Sequence, residues 1–79
     1  MESTMDRLQA LVREYLGDPG VTITGQTLLT ADLGLDSYDV ASLITEAEIR
    51  FGIEIPDRVL AQMLTAGDLG AYIARNTAQ

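Results

Sequence analysis

Apolar residues return every three or four positions in separate stretches of this 79-residue chain. Met5, Leu8, Leu11, Val12, Tyr15 and Leu16 keep that spacing, which predicts an amphipathic helix over residues 4–16. Ser3 with Asp6 three residues later is an approximate capping box. Gly17-Asp18-Pro19-Gly20 is turn chemistry that ends the helix. Val40, Leu43, Ile44, Ala47 and Phe51 form a second stripe and predict a buried-face helix over 37–51. Asp36 is its N-cap, Asp39 reinforces its first turn and Gly52 stops it. Pro56 opens a short third helix over 56–63, with Val59, Leu60 and Met63 available for packing. Thr65 with Asp68 starts a fourth over 66–75, whose Leu69, Tyr72 and Ile73 face the core. The tail from Asn76 to Gln79 is expected to fray.

Residues from about Gly20 to Asp36 follow neither period. Val21-Thr22-Ile23-Thr24 alternates like a strand, but a lone strand has nothing to pair with, so the stretch reads as extended loop. Loops this long are uncommon in small domains and tend to be functional or self-packed. Val21, Ile23, Leu28, Leu29, Leu33 and Leu35 offer apolar anchors, and a single helical turn fits around Ala31. The pattern specifies an all-α fold: one domain over 1–79, a four-helix bundle with a long first loop and a short third helix.

Composition narrows the chemistry. Neither cysteine nor histidine is present, which removes disulfides, thiolate and imidazole zinc sites, cysteine nucleophiles and Ser-His-Asp arrangements. Twelve acidic residues face five basic ones, all arginine, for a net charge of −7. That balance argues against nucleic acid and against an anionic membrane surface as partners, and favours a partner with a basic surface. No apolar run is long enough to span a bilayer and no signal-peptide pattern opens the chain. A monomeric cytoplasmic protein is the expectation.

Chemistry concentrates in Asp32-Leu33-Gly34-Leu35-Asp36-Ser37-Tyr38-Asp39. Ser37 falls at the first helical position, beside free N–H groups at the positive end of the helix dipole, a setting that favours a phosphate. Asp32, Asp36 and Asp39 bracket it with negative charge, which suits docking and modification by another enzyme better than binding of free phosphate. No base in the chain could activate Ser37 as a nucleophile. Asp-Ser at a helix start is also ordinary capping chemistry. Periodicity and spacing stop at an acidic four-helix domain with an exposed serine at a helix start.

Asp32-Leu33-Gly34-Leu35-Asp36-Ser37 resembles the phosphopantetheine attachment motif of acyl carrier proteins. Phe51-Gly52-Ile53-Glu54-Ile55-Pro56-Asp57 resembles that family's end of the second helix and its Ile-Pro-acidic approach to the third, and the likeness runs without a gap from Leu28 to Ile73. The resemblance implies an acyl-carrier-like bundle, not an enzyme, with 4′-phosphopantetheine from coenzyme A joined covalently to Ser37. The thiol of that arm holds acyl groups as thioesters. A phosphopantetheinyl transferase would install it, and acyltransferases, ketosynthases or ligase-type enzymes would use it. Tyr38 replaces the family's usual Leu or Met, Ser42 stands where fatty-acid carriers often have Glu, and Thr45 where an apolar residue is common. These departures point to a specialised polyketide or hybrid pathway, such as antibiotic biosynthesis, rather than to primary fatty acid biosynthesis. The alternatives are a stand-alone peptidyl carrier and an unmodified interaction module on the same scaffold.

A second stripe on the second helix, Tyr38, Ser42, Thr45 and Ile49, is uncharged and runs down from Ser37. Family likeness makes it the partner face. Asp36, Asp39, Glu46 and Glu48 flank it as steering charge, with Tyr38 and Ile49 as apolar anchors.

Overall fold

The structure, a computed structural model, describes residues 3–77. It holds four helices and no strand among those residues: α1 Thr4–Leu16, α2 Ser37–Phe51, α3 Asp57–Leu60 and α4 Ala66–Asn76. Each long helix starts with a reciprocal capping box. Ser3 pairs with Asp6, Asp36 with Asp39 and Thr65 with Asp68. In each box the cap side chain accepts the N–H three residues on, and that residue's carboxylate accepts the cap's own N–H, so two orphan donors are satisfied at once.

α1 packs on both α2 and α4. Leu8, Leu11 and Val12 meet Leu43, Ile44 and Ala47 and also Leu69 and Ile73 in one apolar core. No polar or charged residue is buried among the described ones. Val40 and Phe51, expected on the buried stripe of α2, are only half-buried. They sit at the two ends of the helix contact, and the Arg7 guanidinium lies 4.5 Å from the centre of the Phe51 ring.

The long first loop is fixed to the bundle rather than free. Ile23, Leu29 and Leu35 are buried, Val21 and Leu33 pack against the core, and Leu28 stays exposed. On one side α1 holds the loop: Arg13 Nε donates to Val21 O at 2.6 Å, and Ile23 N–H donates to Gln9 Oε1 at 2.8 Å. On the other side it pairs with the chain entering α4. Leu29 N–H donates to Leu64 O (3.1 Å), Ala66 N–H to Thr27 O (2.8 Å) and Gly67 N–H to Gly25 O (3.2 Å), around an isolated antiparallel bridge between Leu28 and Thr65. Around Ala31 the chain turns without forming a helix.

This pairing shortens the third helix. The expected span 56–63 is a single turn, with Pro56 as its extended cap residue instead of its first helical one. Beyond it, Gln62 N–H bonds to Val59 O and Met63 N–H to Leu60 O, both at 3.0 Å and three residues apart, so the chain tightens and then straightens. Leu64 and Thr65 must be extended to meet the first loop, and a longer helix would carry them past it. At the other end α4 runs one residue beyond its expected limit. Thr77 N–H and Oγ1 both donate to Ile73 O, at 2.9 and 2.8 Å, so Asn76 and Thr77 are tied down. The rest of the tail expected to fray, residues 78–79, lies outside the described residues.

Candidate functional site

The turn that leads to Ser37 is built residue by residue. Asp32 Oδ2 accepts the Leu28 N–H at 2.8 Å and Asp32 N–H donates to Leu28 O at 3.1 Å, closing the loop on itself. Gly34 then takes φ +69°, where a side chain would be strained although space is open around it. Leu35 follows as a buried anchor, its N–H on Thr30 O at 3.1 Å. Asp36 is the extended N-cap, and its Oδ1 accepts the Asp39 N–H at 2.8 Å. Between the anchor and the box, Ser37 has one place to go: the first helical position, exposed to solvent.

That position suits a phosphodiester. The N–H groups of Ser37 and Tyr38 precede the first intrahelical bond, Val40 N–H to Asp36 O, and lie at the positive end of the helix dipole. The Asp36 carboxylate, the nearest negative charge in sequence, is occupied by the Asp39 amide. Asp32 accepts the Leu28 amide and Asp39 the Tyr15 hydroxyl. Among the described residues no group of carboxylates is arranged to hold a metal ion.

The remaining residues of the expected partner face divide into three sets. Tyr38 (76% exposed), Thr45 and Ile49 (70% exposed) stand on the open side of α2, with the Thr45 hydroxyl turned back onto Ala41 O at 3.0 Å. Ser42 and Glu46 instead turn towards α1 and line a shallow groove of about 350 Å³ with Leu11, Glu14, Tyr15 and Arg50. Glu48 acts within the fold, where its Oε2 accepts the Ile55 N–H at 2.7 Å and ties α2 to the link before α3.

Two residues on the α1–α2 seam carry no sequence signal of their role. Tyr15, counted on the apolar stripe of the first helix, donates its O–H to Asp39 Oδ1 at 3.2 Å. Loss of solvent raises its phenol above the ordinary value, a hydrogen bond with Ser42 opposes that, and the Asp39 carboxylate adds to it. Arg50, the one base between Asp32 and Asp57, is paired with Glu14 across the α1–α2 seam. Arg50 holds the Glu14 carboxyl below the usual carboxylate range, through its hydrogen bonds and its charge.

Comparison with known proteins bears on this turn directly. The family described as "phosphopantetheine attachment site" matches residues 6–73. The acyl carrier proteins of Helicobacter pylori (strain ATCC 700392 / 26695) and Helicobacter acinonychis (strain Sheeba) are each 39% identical over 69 residues, covering 87% of this chain and 88% of theirs. A candidate acyl carrier protein from Mycobacterium tuberculosis superposes with a TM-score of 0.85 at 32% identity, covering 92% of this chain and 97% of that one. The holo acyl carrier protein of Geobacter metallireducens has the same fold, with a TM-score of 0.87 at 24% identity over 95% of this chain and 86% of that one. The matched span contains the whole turn from Asp32 to Ser37. The chain belongs to the acyl carrier protein family, a carrier and not a catalyst, with a covalently attached 4′-phosphopantetheine.

Proposed function

We propose that Ser37 is the residue that bears the arm and that the protein presents acyl groups to the enzymes of a specialised polyketide or hybrid pathway. One observation carries the assignment: an exposed serine at the first position of α2, fixed between buried Leu35 and the Asp36–Asp39 box. The arm ends in a thiol, which holds the acyl group as a thioester. The chain has no cysteine, so all thiol chemistry comes from the arm. Family members work with phosphopantetheinyl transferases and with biosynthetic enzymes in general. Here the users are acyltransferases, ketosynthases or ligase-type enzymes, met by a monomeric carrier in the cytoplasm. The described residues contain no helix long and apolar enough to cross a membrane.

Partners that receive the arm lie over the face that starts at Ser37. Tyr38, Thr45 and Ile49 supply its uncharged surface, and Asp36, Asp39, Ser42 and Glu46 border it. Ser42, at the border of this face, is uncharged where fatty-acid carriers often have Glu, which supports a partner set other than that of primary fatty-acid synthesis.

The experiment is intact-protein mass spectrometry after co-expression with a broad-specificity phosphopantetheinyl transferase. Wild type gains one phosphopantetheinyl mass. Ser37→Ala gains none and stays folded, within about 0.5 kcal/mol, because an exposed first-turn serine adds little. A Ser37→Ala chain that still takes up the arm would refute the assignment. Loading the holo form with acyl- and aminoacyl-transfer enzymes separates acyl from peptidyl carrier.

A further inference from the structure

α1 reaches the attachment turn from the side. Tyr15 is its penultimate residue, half-buried with its ring against the core. Its O–H donates to Asp39 Oδ1 at 3.2 Å, across 24 residues of sequence. The other oxygen of Asp39 lies 3.5 Å from the Asp36 N–H, and Asp36 Oδ1 accepts the Asp39 N–H at 2.8 Å. Ser37 and Tyr38 are the two residues enclosed by that reciprocal pair. The longer half of the box therefore shares its carboxylate with the phenol, one oxygen on Asp36 and the other on Tyr15. The Glu14–Arg50 pair lies on the same seam and couples α1 to α2 nearer the far end of α2.

We propose that Tyr15 is a positioning residue for arm attachment: its O–H fixes the Asp39 carboxylate and, through it, the turn that presents Ser37 Oγ. This rests on Ser37 being the attachment point. In the step served, the Ser37 Oγ–phosphorus bond forms as the pyrophosphate bond of coenzyme A breaks. Adenosine 3′,5′-bisphosphate leaves, and the hydroxyl proton passes to a base on the transferase. Tyr15 touches none of the reacting atoms. A serine that samples several orientations is in line for attack for less of the time, so the effect falls on kcat more than on KM.

The test compares apo wild type with Tyr15→Phe, which keeps the ring and removes the O–H, using a broad-specificity transferase and coenzyme A. Tyr72→Phe is the control, since it removes a phenol on α4 that donates to Glu54 O at 3.3 Å. For Tyr15→Phe, kcat/KM falls about three- to tenfold, the size one ordinary net hydrogen bond supplies, with KM within about twofold of wild type. Amide exchange at Asp39 speeds up in the same variant. Tyr72→Phe changes neither. In an Asp39→Ala background, Tyr15→Phe causes no further loss, because the two act as one unit. Arm transfer to Tyr15→Phe at the wild-type rate, or losses that multiply in the double variant, would overturn this inference alone. A wild-type chain that takes up no arm would overturn the Ser37 assignment and this inference with it.

Discussion

Gly67, at the start of α4, lies flat against Gly25 in the first loop, with its N–H on the Gly25 carbonyl at 3.2 Å. A Cβ on Gly67 would strike that carbonyl oxygen and come within 2.9 Å of Gly25 Cα, whereas a Cβ on Gly25 would meet nothing within 4 Å. The contact is therefore asymmetric.

Gly67→Ala should destabilise the fold by about 1–3 kcal/mol, because backbone must move to admit the methyl group. Helix propensity alone predicts the opposite sign, a gain of about 0.5–1 kcal/mol. Gly25→Ala should be neutral within about 0.5 kcal/mol. Urea denaturation of both variants decides it, and a stabilised Gly67→Ala would show that the loop yields easily.

Glu48 and Glu46 should separate by function. Glu48→Ala leaves the part-buried Ile55 N–H without an acceptor and should cost about 1–2 kcal/mol. Glu48→Gln keeps an acceptor oxygen and should recover most of that. Glu46→Ala should leave stability within about 0.5 kcal/mol and act on partner association instead. Thermal melts of the three variants are sufficient.

Asp68 links stability to pH. The N–H groups of Leu64 and Thr65 hold its carboxyl below the usual range. Its folded pKa is lower than its unfolded one, so as pH falls the unfolded chain takes up the proton first. The stability it contributes is whole above the unfolded value and is lost as pH drops through the folded one. Asp68→Asn should thus differ most from wild type near neutral pH and converge with it as pH falls through the lowered folded value. Denaturation midpoints of the pair, measured across that range, should show a shrinking gap. A gap that widens towards acid would contradict the assignment.

The open face of α2 should dock through its apolar side chains. Tyr38→Ala and Ile49→Ala should weaken partner binding about fivefold or more, mainly through faster dissociation, since both side chains are free to insert. Glu46→Ala should lower the association rate and its salt dependence. Surface-binding kinetics with a purified pathway enzyme at two salt concentrations separates the two effects. Wild-type rates for both apolar variants would remove this face from the interface.

Local chemistry by itself determined the elements and the position of Ser37. The three-and-four spacing of Leu8, Leu11, Leu43 and Ala47 marks helix faces, and three boxes of the form cap, two residues, Asp mark their starts. Both signals act between residues three or four apart, so they are complete in the chain order. The same holds for the turn of Gly34, Leu35 and Asp36 that delivers the serine. The length of α3 was not legible, because it depends on Leu64 meeting Leu29 from the other end of the molecule. Nor were the separate roles of the acids. Glu48 and Glu14 look alike as solvated charges on helices, and Asp39 reads only as part of a cap. Only packing brings Ile55, Tyr15 and Arg50 to them, across 7, 24 and 36 residues. A hydrogen bond needs its partner within about 3 Å, and over such separations no spacing rule sets that distance; the close packing of α1, α2 and the link before α3 does.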